Sequence, residues 1–597
     1  MKMSKYSLAA LLAGAAISPA MAGEKEELLK IRNTTLNLIE LLVEQGVLDK
    51  SKAEAMIQKA EAKAAADAKK AVEEEKVQAA RDAAPGDGGS KPAVRVTYVP
   101  DFVKDEIRQQ VRDELRADVV KDVKAHAKEE KWGIPAALPD WVNRFKLTGD
   151  MRLRGEGDFF PSSNFSNEVI RSHESWLFAN WYNVNNGASV TDIRPTSTAY
   201  LNTSEDVYRY RMRFRLGLEA QITDGLKANA RLATSNSRSP VSTNQTLGQT
   251  GQQYEFVLDR AFLQYDYKDG KGRDWLTLWA GRTMNPWLST DNVFDSDVSF
   301  EGVTGTFRVP LPGGSATYVP PTPNARYGTN MGFTRPNSVF LTSGVYPLEE
   351  FQLSSNDKWL WGSQLGVDLL FQETSRFKAG VAYYNYRNVK AQPNHYVAGV
   401  AGDLGDRNYT APQFMQKGNT LMQINTSGDP STTNFPSKVG LASGFEIFNA
   451  VASYDYSGFG NTHIILTADY AKNLGFDEKD ILGRIDPTTF GIVNYVDLKD
   501  RTTAWQVRMD LGTPEIKKWS DWNLTFAYKY LERDAVLDAY TDSDFHLGGT
   551  NAKGWVVGGS YGLAQNTWLN ARWMTADQID GPDYGIDVLM VDLNARF

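Results

Sequence analysis

Apolar and polar residues alternate along many short segments of the chain from residue 145 onward. In VYRYRMRFRLGLEAQI, which begins at Val207, aromatic and aliphatic residues take every second position, and the first positions between them hold Arg209, Arg211, Arg213 and Arg215. A period of two places successive side chains on opposite faces of a β-strand. The pattern therefore predicts strands with one apolar and one polar face, which occur both in soluble sheets and in outer-membrane barrels.

The spacing of these segments favours the barrel. Short connections such as TDG alternate with long ones such as 157–206 and 387–444, as in barrels whose turns lie on the periplasmic side. The segment 310–337 falls where a short turn belongs, which leaves the strand count open by two. The predicted strands lie near residues 145–157, 207–222, 226–235, 256–267, 274–283, 302–309, 338–346, 359–371, 376–386, 445–456, 462–471, 501–511, 522–531, 552–561, 567–575 and 586–597.

The predicted fold is therefore all-β, an antiparallel transmembrane barrel of about 16 strands, a size that leaves an aqueous channel. An even count puts both ends of the barrel on one side, and this places the preceding residues in the periplasm. Arginines facing lipid would each cost ~2–4 kcal/mol, so the arginine face is predicted to line the pore. For any single arginine, solvation of the lumen or pairing with a charge on a neighbouring strand is the alternative.

Before the barrel, the chain shows an export signal and helical periodicity. Lysines precede the short apolar run LAALLAGAAI, and AMA supplies small residues for cleavage, which directs the protein out of the cytoplasm and to the outer membrane. No later run of about 18 or more apolar residues predicts a helical span. The predicted parts are a signal peptide at 1–22, a periplasmic helical hairpin or coiled coil at 23–84, a linker at 85–100, a second periplasmic helix at 101–132 and the barrel at 145–597.

The first helical part carries a short heptad seam. Its positions alternate in spacing between three and four residues: Leu28, Ile31, Thr35, Leu38 and Leu42. A seam of that length is marginal alone, which favours self-association of the chain. A solvated periplasmic spacer and a contact with the cell wall remain open as alternatives.

Composition excludes several function classes. The chain has no cysteine, which excludes disulfides, thiolate catalysis and cysteine-ligated metals, and its net charge of −8 does not suggest nucleic-acid binding. In DSDFH, the residues Asp542, Asp544 and His546 could gather a cation, but a hydrogen-bonded loop cluster is favoured because no further ligands are near in sequence. No serine–histidine motif points to a hydrolase. We therefore expect no enzyme activity, no cofactor and no metal.

Several segments resemble the putative porin family of Gram-negative outer membranes. They run in order from about Val94 to the end of the chain: VRVTYVPDFVKDEIRQQVRDEL, GDMRLR, LTLWAGRTMNPW, FEGV, DKWLWGSQLG and YLERDAVLDAYTDSDFHLGGTNAKGW. The resemblance implies a general-porin-like channel and names no solute. Terminal Phe597, on an alternating strand, is similar to the signal that barrel-assembly machinery reads in many outer-membrane proteins. The insertion at 310–337 departs from the family's pattern.

The resemblance also implies a constriction. In general porins the loop after the fifth strand folds inward and carries acidic residues, and the equivalent segment here, 284–301, holds Asp291, Asp295, Asp297 and Glu301. Opposite charge comes from arginines predicted to line the pore: Arg152, Arg154, Arg209, Arg211, Arg213, Arg215, Arg231 and Arg260. Arg282 has a suitable height, but its direction is left open. A basic wall facing an acidic loop would filter solutes by charge.

Two functions follow from this reasoning. The first is a porin for passive diffusion of small hydrophilic solutes and ions; the alternative is a structural anchor that ties the outer membrane to the cell wall and conducts little or nothing. The expected partners are outer-membrane lipids, the solutes, barrel-assembly machinery and two further copies in a homotrimer, with peptidoglycan as a further candidate and no nucleic acid. The sequence does not name the solute.

Overall fold

The structure, a computed structural model, describes residues 142–597 except 174, 237–238, 313–327, 333–336, 354, 372–373, 397–404, 426–437 and 486–490. The predicted signal peptide, both predicted periplasmic helices and the linker between them lie outside the described residues. A 3₁₀ turn at Val142–Arg144 leads directly into the first strand. From there to the end, long strands alternate with connections of very different length.

Sixteen long strands form one antiparallel sheet that closes on itself, because β1 pairs with both β2 and β16. The predicted count of sixteen is confirmed. The strands are β1 Phe145–Phe159, β2 Val207–Thr223, β3 Leu226–Thr234, β4 Phe256–Lys268, β5 Asp274–Met284, β6 Ser299–Pro310, β7 Ser338–Glu349, β8 Lys358–Phe371, β9 Ser375–Arg387, β10 Phe445–Phe459, β11 Thr462–Asn473, β12 Thr503–Gly512, β13 Trp522–Leu531, β14 Ala552–Ala564, β15 Thr567–Gln578 and β16 Gly585–Arg596.

The seam between β1 and β16 runs from Asp150 opposite Arg596 to Phe159 opposite Asp587. Terminal Phe597 extends it, because its N–H donates to the Gly149 carbonyl at 2.9 Å and its own carbonyl accepts from the Gly149 N–H at 2.8 Å. The Phe597 ring covers Gly149 so closely that a Cβ there would overlap it. The last residue of the chain is therefore part of the closure.

The outer face of the barrel is apolar. Every strand exposes at least one large apolar side chain, and the exposed side chains alternate with buried ones along the strands. Examples around the barrel are Leu153, Leu218, Leu232, Leu263, Leu278, Val303, Leu341, Leu365, Val381, Tyr454, Leu466, Val507, Phe526, Val557, Leu569 and Val591. This alternation is the one that a lipid-facing barrel requires. Within the described residues, no helix is long and apolar enough to cross a membrane.

The connections at the end of the barrel where β1 begins are short, with one exception. Two-residue turns at 224–225, 460–461 and 565–566 contrast with the 27 residues between β6 and β7. The insertion at 310–337 thus lies on the turn side, as its position in the sequence indicates. We call this end the turn side and the other the loop side.

The long loops on the loop side fold over and into the barrel mouth, and we call their packed part the loop cap. Buried side chains such as Trp181, Phe294, Leu441 and Val536 share one hydrophobic core with inward-facing strand residues such as Tyr384. The short helices here are α1 Asn167–Ser172, α2 Trp181–Asn185 and α3 Glu478–Arg484, with 3₁₀ turns at Trp176–Phe178, Asn408–Thr410, Asp538–Tyr540 and Phe545–Leu547. Short strands lie at Gln245–Thr246, Leu288–Thr290, Thr329–Met331, Leu421–Gln423 and Val439–Leu441.

One short strand enters the lumen from the turn side. Thr329–Met331, in the insertion between β6 and β7, pairs in antiparallel fashion with Leu288–Thr290, in the connection between β5 and β6. The Asp291 N–H extends the pairing by donating to the Gly328 carbonyl at 3.0 Å. Connections from opposite ends of the barrel therefore meet inside it, an arrangement that the alternation of residues did not predict.

Candidate functional site in the barrel lumen

All eight predicted pore-lining arginines lie on four adjacent strands, β1 to β4. Their register brings them into rows, with Arg152 opposite Arg213 and Arg154 opposite Arg211. Arg231 lies opposite Arg260 on the next pair of strands. The neighbouring positions Tyr208, Tyr210 and Leu153 are exposed on the outer face, so the arginines take the inner one. We call this group the arginine wall.

Carboxylates are interleaved with the arginines on the same wall. Asp150 accepts from Arg213 at 2.9 Å and from Arg215 at 2.8 Å. Glu156 lies 2.5 Å from Arg209 and 3.1 Å from Arg211. The wall is therefore a network of ion pairs rather than a purely basic surface, and much of the positive charge of its arginines is neutralised by these carboxylates.

Other carboxylates reach the wall from further along the chain. Arg154 donates to Asp592 of β16 at 2.7 Å and lies 3.1 Å from Asp544 of the loop between β13 and β14. Asp544 also accepts from Arg572 at 3.0 Å. Asp592, Asp150, Glu156, Asp158 and Asp259 also belong to the wall, and sequence reasoning did not select them. Asp150, Glu156 and Asp158 could have been found, because they alternate in phase with the arginines of β1. Asp259 could not, because it directly precedes Arg260 where the register between β3 and β4 shifts.

The connection between β5 and β6, residues 285–298, crosses the lumen, and we call it the constriction loop. Its Leu288 exchanges two hydrogen bonds with the side chain of Gln364 on β8, at 2.9 and 2.8 Å. Thr290 donates through its hydroxyl to Asp469 on β11 at 2.6 Å. Since β8 and β11 lie far around the barrel from β1 to β4, the loop spans the interior.

Asp297 brings the constriction loop to the arginine wall. Its Oδ1 lies 3.2 Å from Arg215 and 4.0 Å from Arg213. Its Oδ2 accepts from the backbone and hydroxyl of Thr243, at 3.3 and 3.2 Å. Burial would raise the pKa of the Asp297 carboxyl, but the guanidinium groups of Arg213 and Arg215 outweigh it and hold that pKa below its usual value. Asp297 is therefore ionised at neutral pH.

The other three predicted acids do not face the arginine wall. Asp291 lies 2.9 Å from Lys529 on β13, and Lys529 also lies 3.0 Å from Asp542. Asp295 accepts from the backbone of Ser543 at 3.0 Å. The prediction that four loop acids confront the wall as a group is thus wrong for these residues, because Asp291 pairs with β13 and Asp295 binds the loop between β13 and β14 instead.

Glu301 requires the largest correction. It lies on β6, outside the constriction loop, which ends at 298. Its side chain is exposed and forms an ion pair with Arg282, its register partner on β5. The pair lines a cavity together with loop-cap residues such as Phe414 and Tyr540. Glu301 therefore neutralises Arg282 beside the loop cap instead of confronting the arginine wall.

The motif DSDFH sends its three polar side chains to separate partners. Asp542 binds Lys529, Asp544 binds Arg154 and Arg572, and the His546 Nε2 lies 3.0 Å from the Tyr584 carbonyl. These contacts hold the loop to the barrel wall. No group of three or more metal-binding side chains occurs in the part of the chain that the structure describes.

A model of one protein family, described as putative porin, matches residues 32–597. The chain belongs to the putative porin family. This porin is accordingly an outer-membrane β-barrel of a family that is not typically enzymatic. No functionally curated protein matches the chain.

Solved porin structures show limited similarity to this porin. Pseudomonas putida OprB at high pH is 11% identical with a TM-score of 0.39, over 78% of this chain and 97% of that one. Salmonella typhi OmpF in complex with daunomycin is 11% identical with a TM-score of 0.35, over 77% and 99%. The channel DcaP of Acinetobacter baumannii is 9% identical with a TM-score of 0.34, over 76% and 98%.

Proposed function

We propose that this porin is a channel for passive diffusion of small hydrophilic solutes and ions across the outer membrane. The observation that carries the proposal is the crossing of the lumen by the constriction loop, which ends with Asp297 against the arginine wall. A polar passage narrowed by charges of both signs selects solutes by size and charge. The rest of the barrel has the chemistry of a wet interior under an apolar exterior.

Inward-facing polar residues beyond the constriction support this function. Strands far from the arginine wall carry amides, hydroxyls and charges where their outward neighbours are apolar. Such inward residues include Thr306, Thr342, Gln364, Asn449, Ser453, Thr467, Gln506 and Thr525. Most of these side chains are buried and bond other groups, as Thr306 and Thr342 bond each other at 2.8 Å. They give the inner side of the wall a polar character that an apolar core would lack.

The structural anchor remains a second candidate because two features obstruct the lumen. The loop cap closes part of the mouth with a hydrophobic core, and Thr329–Met331 enters from the turn side. Both reduce the cross-section open to solutes and favour a small conductance. The anchor would also use the predicted contacts of the N-terminal helices with peptidoglycan. The predicted homotrimer is part of our proposal for either function.

Recording from the purified mature chain in a planar lipid bilayer tests the proposal. We expect discrete, ohmic current steps in potassium chloride, with a conductance below that of an unobstructed barrel of sixteen strands. The matched control is the same chain denatured before addition. Absence of steps, with a folded barrel shown by heat-modifiable migration on a gel, would favour the anchor.

A further inference from the structure

The carboxylate of Asp297 lies in a cluster of five arginines. In addition to its ion pairs with Arg213 and Arg215, it interacts electrostatically with Arg152, Arg231 and Arg260. These residues come from four consecutive strands, while Asp297 comes from the constriction loop. A loop carboxylate therefore sits where the wall concentrates positive charge.

Two of the five arginines have no carboxylate partner in the described part of the chain. Arg152 donates to the amide oxygen of Asn244, and the Arg260 Nε donates to the Ser299 hydroxyl at 3.3 Å. By contrast, Arg213 and Arg215 share Asp150, and Arg231 has Asp259. No described carboxylate lies within 4.0 Å of Arg152 or Arg260, so the cluster carries excess positive charge even with Asp297 in place.

We propose, on the basis of the channel function proposed above, that this cluster is a binding site for small organic carboxylates and that Asp297 occupies it until such an anion displaces the carboxylate. Guanidinium groups match planar carboxylates through paired N–H donors, and Asp297 is itself such a group. An entering carboxylate finds Arg152 and Arg260 unpaired and can then replace Asp297 beside Arg213 and Arg215.

The attachment of Asp297 allows this exchange. Its carboxylate is bound to the wall by ion pairs, but its backbone is held from the other side, where its N–H donates to Asp295 at 2.7 Å and Asp295 binds Ser543. Release of the carboxylate breaks contacts to the wall and to Thr243 without breaking those that seat the loop. Asp297 thus acts as a tethered competitor, which keeps the site selective without making it bind its ligand too tightly for transport.

Succinate block of the chloride current tests the proposal in planar bilayers containing the full mature chain. We expect brief interruptions whose frequency rises with succinate concentration. Asp297→Asn should lower the half-blocking concentration by about tenfold, since it removes the competitor, and Arg152→Gln or Arg260→Gln should raise it by about tenfold. Glu219→Gln is the matched control, because it removes a carboxylate on β2 that pairs with Lys227 outside the cluster, and we expect a change of less than about threefold.

Three outcomes would overturn the proposal. In one, the channel conducts but succinate causes no interruptions, which leaves the diffusion function intact and removes the site. In another, inorganic phosphate blocks and succinate does not, which assigns the arginines to a different class of anion. In the third, Glu219→Gln matches Asp297→Asn, which means that only the general field of the lumen changed. Titration calorimetry of succinate with the detergent-purified chain gives the same comparison of variants even if no current is observed.

Discussion

Phe597 and Gly149 form a matched pair across the seam of the barrel. The terminal ring occupies the space that any side chain at position 149 would need, and it reaches Phe214 on β2 with ring centroids 6.3 Å apart. Two backbone hydrogen bonds join the same residues. The closing strand is therefore fixed at its last residue by both main-chain and side-chain contacts.

Gly149→Val should impair closure because the new side chain displaces the Phe597 ring. We expect less folded barrel and a lower melting temperature, with a cost of about 1–3 kcal/mol, as for other overpacked sites. Heat-modifiable migration on a gel measures the folded fraction. Gly155→Val is the control, since a Cβ at position 155 would meet only the Tyr210 ring edge at 3.9 Å. Equal effects of the two variants would contradict the role of the Phe597 contact.

Asp297→Asn should shift the reversal potential in a salt gradient toward anions. The variant removes a negative charge at the constriction and leaves five arginines facing the lumen. The shift should be larger at low salt, where charges are screened less. Glu301→Gln is the matched control, because the same charge is removed outside the constriction loop, where Glu301 pairs with Arg282. A shift of equal size in the control would show that the constriction loop does not set selectivity.

Lys529→Met should loosen the constriction loop. Lys529 lies between Asp291 and Asp542, and its loss removes the cation that these two buried carboxylates share. Breaking a buried ion pair from one side costs about 3–5 kcal/mol. We expect noisier single-channel currents and a larger mean conductance. Lys553→Met, at an exposed position on β14, is the control and should leave the current unchanged.

A disulfide can test whether the insertion enters the lumen. Leu288 and Met331 are opposite residues of an antiparallel pair, and Cβ atoms of such pairs lie about 4.5–5.5 Å apart. The chain has no native cysteine, so the double variant Leu288→Cys and Met331→Cys has a clean background. We expect rapid oxidation and a shift in gel mobility. Failure to oxidise, or equal oxidation of the offset pair Ser289→Cys and Met331→Cys, would contradict this placement.

The stability of the loop cap should depend on pH through Asp538 and Lys417. Burial raises the pKa of the Asp538 carboxyl to about 7, and it lowers the pKa of the Lys417 ammonium to about 7 although Asp158 opposes that change. A raised acid pKa means that cap stability falls as pH rises from about 4 to about 7. A lowered lysine pKa means that stability rises again between about 7 and 10.5.

The cap should therefore be least stable near neutral pH. The measurement is the hydrogen-exchange rate of the cap amides as a function of pH, at a fixed temperature and corrected for intrinsic exchange rates. Asp538→Asn should flatten the acid side of the profile, and Lys417→Met should flatten the alkaline side. Exchange in strand amides of β10 serves as the internal reference, because neither group contacts that strand. A profile that is flat in the unchanged chain would contradict the prediction.

The strands could be predicted because the signal for each one is the local alternation of apolar and polar residues. In β2 and β16 this period of two is visible in the sequence without reference to the strands that pair with them. The arginine wall followed from the same alternation. The position of Glu301 did not, because the predicted loop border at 301 lies three residues beyond the end of the loop at 298. Glu301 belongs to β6, where its register partner Arg282 takes up its charge.

The partners of Asp291 and Asp295 could not be predicted at all. Lys529 and Ser543 lie about 240 residues further along the chain, and only the closed barrel brings the two connections together. The same holds for Thr329–Met331, whose pairing joins connections from opposite ends of the barrel. Contacts of this kind depend on three-dimensional folding and leave no periodic signal in the sequence.

The attachment of the constriction loop to residues 540–544 has a consequence for variation at the cell surface. Loops on this side of an outer-membrane protein are the parts that phages and antibodies meet first. In this porin the Asp295 N–H donates to the Tyr540 carbonyl at 2.7 Å, and the Asp542 N–H donates to the Asp291 carbonyl at 3.1 Å. Substitutions that evade recognition by altering this stretch would also move the constriction, so we expect natural variation to concentrate in the other external loops.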